Sequence, residues 1–441
     1  MRVLFVNPTG ILGGAERSLL DLIASLRAAE PSIEIGLLLF ANGPLAAQAA
    51  ALGVRIFVVP IPDALARLGD SGAIGRSRLG ALARVGTQLG VAAPAVAGYL
   101  YRILAQVRSF NPDLVHSNGV KAHLLLTASA LAGVPVVWHV RDFLGERPLV
   151  AKAMRAVCRS PRGAIAISQA VANDARQQFP GLPVHVVLNA IDVDHFAPGE
   201  VPVSPPWGGA HEAIEERPVR VGLVATYARW KGQDLLLEAA ALIRRRGRVR
   251  CHFYIVGGPL YRTEASQFSE TELRQQARSL GIDDHVSFVP FQDDPAPVYR
   301  WLDIVIHAST RPEPFGRTIA EAMACGRPVV VARAGGAAEL FHDGRQAIGV
   351  APSDPEALAG AIEDLVSDPG RRERLGQAAR EAAVARFSRA RLDEWRGCRS
   401  GRCSLAMRIV MTPPPRDRAG ADRGSCRAHG SGYLGAGGRG T

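Results

Sequence analysis

One continuous stretch of the chain constrains the fold more than any other. It begins with an apolar run, Asp303–His307, and passes through a Pro- and Gly-containing loop, Pro312–Gly316. Helix-favouring residues follow from Thr318 to Cys325, Gly326 ends that pattern, and a second apolar run covers Pro328–Ala332. A strand, a loop, a helix and a strand in this order build a parallel sheet. The sequence therefore predicts an α/β fold.

The loop in this unit lies where a strand ends and a helix begins. Backbone N–H groups there lack partners within the helix, and the helix dipole favours negative charge, so the position suits a phosphate. Glu313 lies in the loop and Glu321 on the helix. Carboxylates beside a phosphate are unfavourable unless each has a specific partner, and sugar or ribose hydroxyls are suitable donors. Two glutamates at this spacing are also compatible with an ordinary solvated loop and helix.

The whole phrase around the two glutamates is more specific than their spacing. It reads Glu313-Pro-Phe-Gly-Arg-Thr-Ile-Ala-Glu321-Ala-Met-Ala-Cys-Gly-Arg-Pro-Val329. It resembles the E-x-F-G-x-x-x-x-E-A-M-A-x-G-x-P-V motif of the retaining glycosyltransferases of family four. A looser similarity runs from the first strand to about Ser388. The resemblance implies the GT-B fold, in which two Rossmann-like domains with parallel sheets face each other across a cleft.

The resemblance also implies roles for individual residues of the motif. Glu321 would bind the ribose of a nucleotide-sugar donor, and Glu313 would bind a hydroxyl of the sugar. Backbone amides around Phe315 and Gly316 would stabilise the charge that develops on the diphosphate. The donor site would be completed by the two residues that follow in the motif, Arg317 and Thr318.

A second glycine loop lies near the start of the chain. Val3–Val6 is predicted as a buried strand and the helix is predicted from about Ala15 to Ala28, with Gly13 and Gly14 between them. Small residues at a helix amino terminus let a backbone approach a ligand, although a Gly-Gly pair alone is often only a turn. The dinucleotide fingerprint G-x-G-x-x-G is absent. The loop resembles the G-G-x-E loop of the same family, which lies near the donor phosphates and the acceptor.

His139 is predicted at the carboxyl end of a strand, where ligands bind in open parallel sheets. A lone histidine is more often a structural hydrogen-bonding residue than a catalytic one. The resemblance implies that His139 lies next to the donor sugar and hydrogen-bonds to it.

Two cations follow the first predicted strand of the second domain. Lys231-Gly232 matches the Lys-Gly of the family, whose lysine binds the donor diphosphate. The family usually carries an arginine a few residues earlier, where this chain has Thr226. Arg229 lies three residues further on, and we expect it to take the place of that arginine beside Lys231.

A chain of 441 residues is too long for one ordinary core, and two domains are expected. We predict an acceptor-side domain at 1–197, a Pro- and Gly-rich linker at 198–218 and a nucleotide-sugar-binding domain at 219–395. Residues 396–441 lack periodicity and are predicted to be disordered. The family has a helix that crosses back to the first domain here, and the sequence leaves open whether that helix ends early or the tail is read from a shifted frame.

The formal charge of +11 first suggests nucleic acid or an anionic membrane as a partner. The tail holds nine Arg and two Asp, however, so the body is only mildly basic and nucleic-acid binding is not expected. Residues 91–107 are apolar with flanking arginines, which permits either a membrane-surface helix or a helix packed on the sheet. The six cysteines show no C-x-x-C pair, and the amino terminus is predicted as a strand rather than a signal peptide. We expect a cytoplasmic protein.

The predicted activity is retaining transfer of a sugar from a UDP- or GDP-sugar to a glycan, a lipid-linked glycan or a small-molecule hydroxyl. No metal or other cofactor is expected, because Asp283-Asp284 and Asp293-Asp294 do not form the D-x-D site of the other glycosyltransferase fold. Two alternatives remain open at this point. One is a nucleotide-sugar isomerase of the 2-epimerase type, and the other is a non-catalytic nucleotide-sugar-binding protein.

Overall fold

A computed structural model of the chain describes residues 1–62, 95–127, 133–202, 204–208, 217–259 and 266–392. The predicted tail, its three cysteines and most of the Arg-rich stretch before residue 95 lie outside the described residues. The apolar stretch 91–107 is described only from residue 95, and residues 95–110 are helical. Within the described part of the chain, no helix is both long enough and apolar enough to span a bilayer.

The first half of the chain forms a sheet of seven described parallel strands. Their bounds are β1 Arg2–Asn7, β2 Glu34–Leu39, β3 Arg55–Val58, β4 Leu114–Asn118, β5 Val136–Val140, β6 Gly163–Ala166 and β7 Val184–Val186. The order in the sheet is β3-β2-β1-β4-β5-β6-β7. Besides the helical residues 95–110, the helices described in this half are α1 Gly14–Ala29, α2 Pro44–Ala51, α3 Val120–Leu125, α4 Pro148–Val157 and α5 Gln169–Gln178.

The second half repeats this architecture with six described parallel strands. They are β8 Val219–Val224, β9 Cys251–Val256, β10 Val286–Val289, β11 Ile304–His307, β12 Val329–Ala332 and β13 Ile348–Val350, in the order β10-β9-β8-β11-β12-β13. The helices are α6 Gln233–Arg246, α7 Glu270–Ser279, α8 Ala296–Trp301, α9 Arg317–Ala324, α10 Pro355–Ser367 and α11 Pro369–Phe387. Most strands are continuous apolar runs because helices cover both faces of a parallel sheet.

Each sheet has one point at which the strand order reverses, between β1 and β4 in the first and between β8 and β11 in the second. Loops that leave the carboxyl ends of strands at such a point separate and leave a crevice for ligands. Both sheets belong to one compact unit of the chain. The predicted α/β fold with two Rossmann-like parallel sheets is confirmed.

The end of α11 returns to the first half of the molecule. The Ile191 N–H donates to the Phe387 carbonyl, and Ser388 forms a β-bridge with Ile191. A short 3₁₀ turn, Arg389–Leu392, then packs against α1. The crossing segment that the family resemblance implies is therefore present as far as residue 392, although no α-helix is described within residues 388–392.

Helix α11 approaches the end of α9 closely at Gly376. A Cβ atom added there would lie 2.2 Å from the carbonyl oxygen of Gly326, which is backbone and cannot rotate away. We predict that Gly376→Ala lowers the free energy of unfolding by about 1–3 kcal/mol, because overpacking forces the backbone to shift. Gly360→Ala in α10 is the matched control. Its added Cβ meets no atom within 4 Å, so it should raise stability by up to about 1 kcal/mol in urea titrations. Equal effects of the two substitutions would contradict this packing.

Candidate active site

The loops at the two reversal points line one cavity of about 600 Å³, a volume typical of small-molecule sites. Asn7, at the end of β1, and Asn118, at the end of β4, lie on its first-half side. The sequence-predicted residues that line it are Gly13, Gly14, Lys231, Glu313, Phe315, Gly316, Arg317, Thr318 and Glu321. Tertiary structure therefore brings the glycine loop of the first half and the motif of the second half to one cleft.

Glu313 is buried and bound by three neighbours. Lys231 Nζ lies 2.8 Å from Oε1 and 2.7 Å from Oε2, and Ser309 Oγ donates to Oε2 at 2.9 Å. His307 Nε2 lies 3.4 Å from Oε2. Burial alone would raise the pKa of this carboxyl, but the Lys231 ammonium and the His307 contact outweigh it and hold the pKa well below its usual range. Glu313 is therefore a carboxylate at neutral pH, and Lys231 is its counterion.

Glu321 has its own cation and a neutral donor. Arg317 Nε lies 2.6 Å from Oε1, and the Tyr299 hydroxyl donates to Oε2 at 3.1 Å. Burial raises the pKa of Glu321, and Arg317 offsets part of that effect. Burial and the Glu321 charge raise the pKa of Tyr299 well above its usual value, so its hydroxyl remains a donor. Arg317 also pairs with Asp21 of α1, which links the motif to the first half.

Two helix amino termini point into the cavity. Gly316 is the N-cap of α9 with φ +95, a left-handed conformation that favours glycine, and the first-turn amides of α9 follow it. At α1, the Gly13 N–H donates to the Glu16 carboxylate at 3.1 Å. Gly14 is exposed, and a Cβ atom added there would meet nothing within 4 Å. Both positions leave backbone amides where an anionic ligand can approach.

Arg141, which the sequence analysis did not identify, lies on the first-half side of the cavity. It follows β5, and its Nε donates to Asn118 Oδ1 while its Nη1 donates to Asn189 Oδ1 at 3.1 Å. Nη2 lies 3.4 Å from His139 Nδ1. Burial lowers the pKa of Arg141 to about 10, so the guanidinium still carries its charge at neutral pH.

His139 lies at the end of β5, as predicted, but it is buried and is not among the residues that line the cavity. Its ring centroid is 5.0 Å from that of His116. Burial, together with Arg141, lowers the pKa of His139 well below its usual value, so the ring is neutral. Because a guanidinium can only donate, its contact assigns the acceptor role to Nδ1 and the proton to Nε2.

Two family models match this chain. The model for Glycosyltransferase Family 4 matches residues 12–195, and the model for Glycosyl transferases group 1 matches residues 210–382. Together they span most of the chain, one model on each half. The chain belongs to glycosyltransferase family 4. The family that the motif resembles is thereby confirmed.

Named relatives of this family 4 chain are similar over part of their length. A protein of Catenulispora acidiphila described as D-inositol 3-phosphate glycosyltransferase 2 is 35% identical over 282 residues, which is 62% of this chain and 61% of that protein. A Mycolicibacterium smegmatis protein is 33% identical over 202 residues, 44% of this chain and 50% of that protein. Its name is GDP-mannose-dependent alpha-(1-6)-phosphatidylinositol monomannoside mannosyltransferase. The alignments thus cover about half to three fifths of these relatives.

Solved structures resemble the family 4 chain over nearly all its length. The Anabaena protein HepE, solved with UDP and glucose, superposes with a TM-score of 0.70 at 26% identity, covering 90% of this chain and 98% of HepE. A sucrose-phosphate synthase from Thermosynechococcus elongatus gives a TM-score of 0.69 at 17% identity, with 93% of this chain and 99% of that chain covered. The predicted GT-B fold is confirmed by these likenesses.

Arg229 is placed differently from the family-based expectation. Its Nη2 lies 2.7 Å from Glu272 Oε1, and its guanidinium stacks over Phe268 at 4.5 Å. It is partly exposed and does not line the cavity, whereas Thr226 does. The 3₁₀ turn Arg229–Lys231 directs the two cations to different neighbours, because residues two positions apart in a helix of three residues per turn project to different sides. The structure therefore does not bring Arg229 into the cavity beside Lys231.

In the described ranges, no three His, Cys, Asp or Glu side chains converge as a metal site requires. The cleft of this family 4 chain is built from carboxylate–cation pairs, amides and helix amino termini.

The buried ion pair Lys231–Glu313 can be compared with an exposed ion pair, Arg229–Glu272. Lys231→Met leaves the Glu313 carboxylate buried without its cation, which should cost about 3–5 kcal/mol of unfolding free energy. The double variant with Glu313→Gln should recover most of this loss. The exposed pair Arg229–Glu272, changed to Met and Gln, should show a coupling of only about 0–1 kcal/mol. Double-mutant cycles, with stability measured by urea titration, give the coupling energy of each ion pair. Equal coupling energies would contradict the burial of the Lys231–Glu313 pair.

The histidines beneath the cleft predict a pH dependence. Burial, with Arg141, lowers the pKa of His116 to about 3, and both ring nitrogens lack hydrogen-bond partners among the described residues. The unfolded chain protonates this ring below about pH 6.5 and the folded protein does not, so stability present above that pH is lost as pH falls. The free energy of unfolding should therefore depend less steeply on pH in His116→Phe, by about 1.4 kcal/mol per pH unit between pH 6.5 and 4. Urea titrations at several pH values test this, with exposed His342→Phe as control. An unchanged slope in His116→Phe would contradict it.

Proposed function

We propose that this protein is a retaining glycosyltransferase that moves a sugar from a nucleotide-diphosphate sugar to an acceptor hydroxyl without a metal ion. One observation carries the proposal. Glu313 with Lys231, and Glu321 at α9, lie on one wall of a single cavity, and Gly13 lies on the other. This arrangement offers carboxylates to hydroxyl groups, and a cation and amides to a diphosphate.

The donor is proposed to lie along the second half. Glu321 would accept hydrogen bonds from ribose hydroxyls, and Glu313 would accept one from a sugar hydroxyl. Lys231 and the amides at Phe315 and Gly316 would bind the diphosphate. Uridine is the first base to test because HepE was solved with UDP and with UDP-glucose. Guanosine is the second, because the name of the Mycolicibacterium smegmatis relative includes GDP-mannose.

The proposed reaction exchanges one bond at the anomeric carbon for another. The bond from that carbon to the diphosphate oxygen breaks, and the acceptor oxygen bonds to the carbon on the same face. The proton of the acceptor hydroxyl passes to the departing phosphate oxygen. Lys231 and the amides of α9 would stabilise the charge on the leaving group, because preorganised donors in a water-poor cleft act strongly on developing charge. His139 Nδ1 lies 3.4 Å from Arg141 Nη2, and His139 would act through that guanidinium.

The acceptor is proposed to be a hydroxyl of a glycan, a lipid-linked glycan or a small molecule, in polysaccharide biosynthesis. The names of the two relatives include D-inositol 3-phosphate and phosphatidylinositol monomannoside, which fits this range. We place the protein in the cytoplasm, with peripheral contact to an anionic membrane if the acceptor is lipid-linked.

The proposal predicts different effects of Glu313→Gln on binding and on turnover. Gln keeps the shape but releases Lys231 from its counterion, so UDP should bind as tightly as to the parent protein or more tightly. Turnover of the accepted sugar nucleotide should fall about 100-fold, because the sugar loses the group that orients it. Calorimetry with UDP and product analysis after a screen of UDP-, GDP- and ADP-sugars measure the two effects.

Glu321→Gln is the comparison variant, and it should weaken the binding of UDP. If neither substitution changes binding or turnover of any nucleotide sugar, the proposed site is wrong. Conversion of the donor without an acceptor would favour an isomerase of the 2-epimerase type, and tight binding without turnover would favour a non-catalytic binding protein. The anomeric configuration of the product, read by NMR, tests retention.

A further inference from the structure

Arg141 is a buried cation that forms no ion pair with any described carboxylate. The residue is 8% exposed, and its three hydrogen-bond partners, Asn118, Asn189 and His139, are all neutral. The charges of Glu16, Asp142 and Asp21 stabilise the guanidinium through space, but none of these carboxylates forms an ion pair with it within the described residues. Glu16 instead accepts from the Gly13 N–H and from Asn7. A buried charge without a hydrogen-bonded countercharge is costly, so a ligand that supplies one would be bound favourably.

The guanidinium also has donors to spare. It carries five N–H groups, and its neighbours Asn118, Asn189 and His139 take one each. Two N–H groups are left on a side chain that lines the cavity. The geometry of a guanidinium fits two oxygens of a phosphate or a carboxylate.

Two other cations that line the cavity form ion pairs, whereas Arg141 does not. Lys231 is neutralised by Glu313, and Arg317 contacts both Asp21 and Glu321. Arg17, half-buried, donates to the carbonyl of Asp293 and so bridges the two halves. The buried guanidinium without an ion pair therefore lies on the first-half side, at the ends of β4 and β5, and its hydrogen-bond partners all belong to that half.

We propose that Arg141 binds an anionic group, a phosphate or a carboxylate, of the acceptor. This inference rests on the proposed function, because it takes the donor diphosphate to lie at Lys231 and α9 on the second half. The first-half side is then left for the acceptor. Asn118 and Asn189 position the guanidinium, and the anion completes its hydrogen bonds.

Inorganic phosphate is the probe, and its binding is measured by calorimetry. The protein is first saturated with UDP, so that the diphosphate site is already filled. The parent protein should bind phosphate in addition to UDP. Arg141→Gln should weaken phosphate binding about 10- to 100-fold, because hydrogen bonds to charged groups are lost, and it should leave the UDP affinity within about twofold. Arg141→Lys keeps the charge but loses the paired N–H donors of the guanidinium, so its phosphate affinity should be intermediate. Arg229→Gln, outside the cavity, should bind both ligands as the parent does.

A second variant separates ligand binding from a structural role. Asn189→Asp keeps the acceptor oxygen on Arg141 and supplies a countercharge that is hydrogen-bonded to the guanidinium. It should raise the melting temperature and weaken phosphate binding about tenfold, whereas a merely structural Arg141 would leave phosphate binding unchanged.

Three results would overturn the inference. They are no phosphate binding by the UDP-saturated parent protein, equal phosphate binding by Arg141→Gln, or a loss of UDP affinity in Arg141→Gln that assigns Arg141 to the donor. Failure of the proposed function is distinguishable, because it appears as no binding of any nucleotide sugar by the parent protein. In that case phosphate titrations of the nucleotide-free Arg141 and Asn189 variants still report on the anion site.

Discussion

The carboxylate of Asp21 holds together the parts of the molecule that form the cleft. It is almost fully buried in α1 and contacts two guanidinium groups, Arg317 at the start of α9 and Arg389 in the returning 3₁₀ turn. Arg389 also pairs with Asp192. A buried carboxylate must be paired, so α1, α9 and the end of the described chain are drawn to one point. The wall that carries Gly13 and the wall that carries Glu321 therefore face each other.

Charge pairing also explains how one cleft can offer binding groups to both hydroxyls and phosphates. Glu313 and Lys231 neutralise each other, as do Glu321 and Arg317, so the donor side is close to neutral before a ligand binds. A ligand that offers hydroxyls to the acids and a diphosphate to the cation would substitute for contacts that already exist. Arg141 forms no ion pair with a described carboxylate, and this distinguishes the first-half side of the cleft from the second-half side.

The sequence predicted most of the fold because the strands are continuous apolar runs between glycine, proline and polar loops. The strand predicted at Val3–Val6 extends one residue further at each end, over Arg2–Asn7, and the helix predicted at Thr318–Cys325 begins and ends one residue earlier, at Arg317 and Ala324. The motif predicted much of the site, because Glu313, Glu321 and Gly316 lie in one contiguous phrase. Arg229, predicted beside Lys231, lies outside the cavity, because the direction of a side chain in a tight turn depends on its neighbours, here Glu272 and Phe268.

The sequence by itself determined that this chain is an α/β protein of two parallel sheets with the glycosyltransferase family 4 motif, since periodicity and a contiguous phrase are local properties. Only the tertiary structure decided which charges are paired. Glu313 finds Lys231 82 positions away, and Arg141 finds Asn189 48 positions away. No spacing rule joins such residues, because the sheets bring them together through strand order and through the Asp21 contacts between the halves. Burial of these contacts gives paired acids, neutral histidines and, at Arg141, a cation without an ion pair among the described residues.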